Sequence, residues 1–111
     1  MISMKNCSTN SVILVRYPFS DLSGSKVRPA IVISAPHPSE DVMIVPLTSR
    51  TFGLMPGEFV LTHWKSAGLN VPSAVKRGIY TVSSRIIAAH VGCLKSDDAK
   101  ALHASVDSWL F

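Results

Sequence analysis

Short runs of β-branched and other apolar residues alternate with polar stretches rich in glycine, proline and serine over the first ninety positions of the chain. Val12-Ile13-Leu14-Val15-Arg16-Tyr17, cut off by Pro18, predicts a buried strand, because such side chains fit a pleated surface and proline cannot continue its ladder. The polar turn residues from Ser20 to Lys26 join it to a second strand over 27–34, with Pro29 near its start, where a missing amide is tolerated at an edge. Residues 35–40 carry two prolines and read as a loop. A third strand is expected over 41–47, a glycine- and proline-bounded connection over 51–57, and a short fourth strand over 58–61. Residues 62–68 predict one or two helical turns, with Thr62 as N-cap and Gly68 as the stop. Two more short strands, 78–82 and 86–91, flank a Ser83-Ser84 turn.

The period then changes. Ser96 can cap a helix, Asp97 and Asp98 suit its first turn, and Ala99, Leu102, Val106, Trp109 and Leu110 recur on one face. Ala99 stands where a capping box would need Glu or Gln. Five or six short strands, tight loops and one terminal amphipathic helix predict a mainly β fold, a small, strongly curved antiparallel barrel with a helix packed on it. Residues 1–10 are polar, lack a signal-peptide core and read as a flexible leader to a single domain over 11–111.

Composition narrows the class. At 111 residues, 47% hydrophobic and 16% charged, the chain matches one folded domain. Eleven Lys and Arg against seven acids leave +4, a mild excess that fits a polyanion-binding protein but is shared by many inert basic domains. Cys7 and Cys93 have no metal-ligand or disulfide spacing, and no apolar run is long enough to cross a membrane. A cytoplasmic protein without metal or cofactor is expected.

Arg28 opens the second strand and Thr48 closes the third. Were those strands neighbours, a permanent cation and a hydroxyl would meet at one rim of the sheet, a pairing suited to a phosphodiester: the planar guanidinium matches two phosphoryl oxygens and the hydroxyl supplies one more hydrogen bond. Lys76-Arg77 can follow a polynucleotide backbone or form a solvated pair. His37, His63, His90 and His103 show no metal-ligand spacing; His90 and His103 read as structural, His37 as a loop residue, and His63, beside Trp64, as a minor candidate. Trp64 fits base stacking or packing, and Trp109 packing.

The ordered set Val12-Ile13-Leu14-Val15-Arg16-Tyr17-Pro18-Phe19, Val27-Arg28-Pro29-Ala30-Ile31-Val32-Ile33-Ser34, Val45-Pro46-Leu47-Thr48-Ser49, Glu58-Phe59-Val60-Leu61 and Pro72-Ser73, with Arg85-Ile86 and the final helix, resembles the PemK/MazF family, the toxin halves of bacterial toxin–antitoxin pairs. The resemblance covers nearly everything after Asn10. It implies an SH3-like barrel, a homodimer, and metal-independent, sequence-selective cleavage of single-stranded RNA, with mRNA the expected target. Attack by the RNA's own 2′-hydroxyl would leave 2′,3′-cyclic phosphate and 5′-hydroxyl ends. It also implies neutralisation by an acidic antitoxin, operator DNA being bound only in the toxin–antitoxin complex. Arg28 and Thr48 fall at the family's two catalytic positions, and Arg28 is implied to take a general acid/base role. Asp21, Lys26, Ser49, Ser73, Lys76 and Arg77 fall where RNA contacts are expected. The chain departs from the family pattern at Asn10-Ser11, usually Gly-Asp, at Gly78, often Gln, and at His63, often an acid. Two alternatives stand beside this reading: a gyrase poison of the same fold, which would need no Arg28/Thr48 pair, and a non-catalytic RNA- or peptide-binding barrel.

Overall fold

The structure, a computed structural model, describes residues 8–17 and 26–111. Among the described residues six strands and one helix follow in order: β1 (Ser11–Tyr17), β2 (Lys26–Val32), β3 (Asp41–Thr48), β4 (Ala74–Val75), β5 (Tyr80–Ser83), β6 (Ile87–Cys93) and α1 (Ser96–Leu110), with a 3-10 turn at Ser84–Ile86 before β6. The sheet runs β4-β3-β2-β1-β6, and β5 also pairs with β3. Every pairing is antiparallel. β3 serves three partners, β5 near its start, β2 in its middle and β4 at its end, so the sheet curls around it into a barrel-like shape.

Strict alternation along the strands sorts the apolar side chains onto two sides. Ile31, Val45 and Leu47 join Val12, Leu61, Val75 and Leu102 in one cluster, against which α1 lays Ala99, Val106 and Trp109. Ala30, Val32, Val42 and Ile44 face the other way and join Ile13, Val15 and Ile87. This is the period-two pattern of strands buried on both faces, one of them beneath the helix.

Several expected elements take a different form. The expected strand at 58–61 reduces to one bridge, Val60 to Ala74, with Val75 N–H donating to Phe59 O at 2.8 Å and Leu61 N–H to Ser73 O at 2.9 Å. The strand missed from sequence is β4, two residues too short to show a period. Residues 62–68 form successive turns, but Thr62 does not cap them. The Asp98 carboxylate of α1 accepts the N–H of Thr62 at 2.9 Å and of His63 at 2.8 Å, so the cap comes from 36 residues away. Asp98 is only 2% exposed, and these bonds are what make its burial tolerable. Ser96 lies inside α1, and Lys95 occupies the N-cap without a side-chain cap bond. Leu110 is exposed, and so are His90 on β6 and His103 on α1.

Gly68 stops the 62–68 turns at φ +95°. It also lets them touch β6: a Cβ on Gly68 would lie 2.2 Å from Val91 O, and one on Gly92 only 2.1 Å from Ala67 O. Of the residues read as a leader, those up to Cys7 lie outside the described residues. Asn10 N–H donates to Val32 O at 2.7 Å, Leu94 N–H to Asn10 O at 3.0 Å, and Thr9 Oγ1 to Ser34 O at 3.2 Å. Asn10 holds φ +75°, a conformation asparagine tolerates better than most residues, so it meets the backbone demand that a glycine would meet there.

Candidate functional site

The β2/β3 register pairs Ala30 with Pro46, Ile31 with Val45 and Val32 with Ile44. The pairing ends at Ala30 and Pro46; Arg28 lies across from Val15 of β1 and Thr48 across from Ala74 of β4, each two residues beyond that last β2/β3 pair. Arg28 is exposed and Thr48 half-buried. Thr48 Oγ1 accepts the Arg50 N–H at 3.1 Å, and among the described residues no acceptor takes its own hydroxyl proton. That geometry leaves the Thr48 hydroxyl as a donor at the end of β3.

The chain after Thr48 folds back over this end. The Arg50 guanidinium lies 5.2 Å from the centroid of the Phe52 ring, a cation–π contact. Gly53, at φ +64°, leaves room for it, since a Cβ there would come within 3.0 Å of Arg50 Nη2. Thr48, Arg50, Phe52, Met55, Glu58 and Lys76 line one concavity of ≈ 350 Å³. A second, of ≈ 660 Å³, shares Met55 and Glu58 and continues past Gly57 to Arg77, Ser108 and Trp109.

Glu58 ties the two together. One oxygen accepts the Met55 N–H at 2.7 Å and the other the Arg77 N–H at 2.8 Å. The Arg77 amide, then the Met55 amide, hold its carboxyl below the usual value of 4.5 against a smaller opposing effect of burial, and the charges of Lys76 and Arg50 act in the same direction as the amides. The end of α1 secures the same loop: Ser105 Oγ donates to Gly57 O at 2.7 Å and Trp109 Nε1 to Pro56 O at 3.2 Å.

Of the residues expected to contact RNA, Lys76 shares the first concavity with Thr48, expected to be catalytic, and Arg77 lies in the adjoining one. Ser49 is exposed beside them, and Lys26, also exposed, begins β2. Ser73 is 2% exposed with its hydroxyl donating to Val71 O at 2.9 Å, so that side chain serves the turn before β4. Asp21 lies outside the described residues. Arg50, Phe52 and Glu58 were not singled out from sequence. The available signal was Arg50-Thr51-Phe52-Gly53 after Thr48-Ser49, a cation and an aromatic interleaved at a glycine turn.

No histidine lines either concavity. His37 Nδ1 bonds within its own turn to Ser39, and His63 Nε2 lies 3.6 Å from Asp97 on the surface. Among the described residues no group of three or more His, Cys, Asp or Glu is placed to hold a metal ion, and no helix is long and apolar enough to cross a membrane. Trp64 packs against the cluster beneath the helix.

Comparison with known proteins places this geometry in context. The family model described as PemK-like, MazF-like toxin of type II toxin-antitoxin system matches residues 10–110. No curated protein matches the chain by sequence. Among solved structures, MazE-MazF from Deinococcus radiodurans superposes with TM-score 0.76 at 19% identity, covering 95% of this chain and 96% of that one. An endoribonuclease in complex with its cognate antitoxin from a mycobacterial species gives 0.72 at 13%, covering 95% and 93%. Mycobacterium tuberculosis toxin MazF-mt6 gives 0.66 at 22%, covering 88% and 93%. At these identities the likeness to the solved structures is one of fold.

Proposed function

Because the chain belongs to the PemK-like, MazF-like family of type II toxin–antitoxin toxins, we propose that it is an endoribonuclease cutting single-stranded RNA, mRNA above all, at a short sequence. The observation that supports this reading is the β2/β3 register, which extended by two residues would face Arg28 with Thr48, together with Lys76 and Arg50 lining one concavity with Thr48. In the proposed reaction the 2′-oxygen attacks the adjacent phosphorus as the bond to the 5′-oxygen breaks. The 2′-proton is lost and the leaving 5′-oxygen gains one, giving a 2′,3′-cyclic phosphate and a 5′-hydroxyl. Charge builds on the phosphoryl oxygens during this step. The Arg28 guanidinium can bind two of them, and the Thr48 hydroxyl can donate to one while holding the phosphate in line. The nucleophile belongs to the substrate, so the chain needs to stabilise charge and orient rather than supply an attacking group.

The cationic groups along the two concavities support an acidic antitoxin competing with RNA for the same face, and the chain is proposed to act as a homodimer. The test is cleavage of a long, weakly structured RNA in EDTA, beside an all-deoxy copy and the Arg28→Ala variant. Discrete cuts with cyclic-phosphate ends, lost in both controls, are expected. A folded, antitoxin-free protein that cuts no RNA, or an Arg28→Ala variant that cuts as fast as the parent, refutes the proposal.

A further inference from the structure

Phe52 is 71% exposed, although its ring is the size of group that normally finds cover. Its position is nonetheless defined. The backbone leading to it is anchored where Arg50 N–H reaches Thr48 Oγ1, the Arg50 guanidinium lies over the ring at 5.2 Å, and Gly53 admits that guanidinium against the backbone. The result is an aromatic plate with a cation against it, held next to Thr48 at the wall of a concavity of ≈ 350 Å³. That size lies at the low end for ligand sites. Met55, 63% exposed, flanks the plate, and Glu58 and Lys76 complete the wall.

We infer that Phe52, backed by Arg50, is a stacking platform for one nucleobase of the RNA, next to the phosphate held at Arg28 and Thr48. The inference rests on the ribonuclease reading and names a position in the substrate that this reading leaves open. Three observations favour a nucleobase over an apolar protein segment. The plate is ringed by cations, Arg50 and Lys76, that would attract the phosphates on either side of a base. Every base has a π-face, and an aromatic ring or a guanidinium plane can stack on it. The neighbouring carboxylate, Glu58, already accepts two backbone N–H groups, is held ionised, and can only accept further, so it suits the amino or imino edge of a base and repels an acidic peptide.

The experiment uses the sites mapped for the parent protein. Oligoribonucleotides carrying one cut site are prepared with an abasic residue at each position flanking the scissile phosphate in turn, and kcat and KM are measured for the parent, Phe52→Ala and Phe52→Trp. Losing a base–aromatic stack is expected to raise KM about tenfold or more in Phe52→Ala, with kcat changed less, and Phe52→Trp should hold the parent's value. One abasic position should weaken the parent by a similar factor and leave Phe52→Ala almost unaffected, because the stack is already gone. Equal abasic penalties in parent and Phe52→Ala at every position overturn the inference. So does a Phe52→Ala variant with unchanged KM whose self-association or antitoxin binding is weakened, which would make the ring a protein contact. If the parent cuts no RNA, the ribonuclease reading fails by itself. The platform is then judged by equilibrium binding of fluorescent oligo-rA, oligo-rC and oligo-rU, where affinities of Phe52→Ala within twofold of the parent's on all three overturn it.

Discussion

Gly57 sits where the helix grips the loop that lines the site, and replacing it tests whether that grip is steric as well as hydrogen-bonded. Its φ is +87°, and a Cβ placed there would lie 2.3 Å from Trp109 Nε1 and 3.0 Å from Cε2. Gly57→Ala therefore meets two separate penalties. Holding alanine in the left-handed region costs about 1–2 kcal/mol. Pushing the indole aside costs about 1–3 kcal/mol as overpacking. Alanine also restricts the unfolded chain, which returns about 0.4–1 kcal/mol. The net expectation is a loss of about 3 kcal/mol, corresponding to a Tm roughly 12 °C lower for a domain of this size. Urea melts of the parent, Gly57→Ala, Trp109→Leu and the double variant separate the two penalties. If the indole is the obstacle, shortening it relieves the steric part, and the double variant should be more stable than additivity predicts by about 1–2 kcal/mol. Only the backbone part should persist. Additivity within about 0.5 kcal/mol would refute the packing argument, and a Gly57→Ala variant as stable as the parent would refute both.

Three further expectations are independent of this one. Asp98→Ala removes two charge-assisted bonds and strands the Thr62 and His63 amides, so a loss of about 2–4 kcal/mol is expected, with faster hydrogen exchange at those two amides; unchanged exchange would contradict the tertiary cap. Glu58 is held below 4.5 in the folded chain, so the unfolded chain binds its proton more readily; its contribution is present above that value and lost as pH falls through the lower folded one. Glu58→Gln should accordingly flatten the acid limb of stability against pH, and an unaltered limb would refute the assignment. The double variant Lys76→Ala, Arg77→Ala should reduce the slope of log RNA affinity against log salt by about 1–2, as expected for two lost contacts to single-stranded phosphates. An unchanged slope removes both from the interface.

The legible part of this molecule is local in origin. Runs such as 12–17 and 41–47 announced β1 and β3 because β-branched side chains and proline breaks act within a few residues, and the helix announced itself by its period over 96–110. The ordered motifs around Arg28, Thr48 and Glu58 carried the family, and the match over residues 10–110 agrees. Gly68 was read correctly as a stop because a left-handed residue ending a turn is a local requirement. Even its second duty, the close approach to Val91, lay beyond that reading.

What tertiary structure decided are relations between distant positions. The sequence contains Arg28 and Thr48, but that their strands β2 and β3 are neighbours is set by which apolar residues reach which side of the sheet. Asp98 looked like a first-turn helix acid and is the cap of a different segment, a role defined by how α1 lands on the barrel. Ser73 was expected to contact RNA and is buried where the chain turns into β4. Glu58 looked like the start of a strand and instead joins the Met55 and Arg77 amides across the site. Propensity and period act along the chain and survive in the sequence; caps, registers and buried carboxylates depend on partners that only folding brings within hydrogen-bond distance.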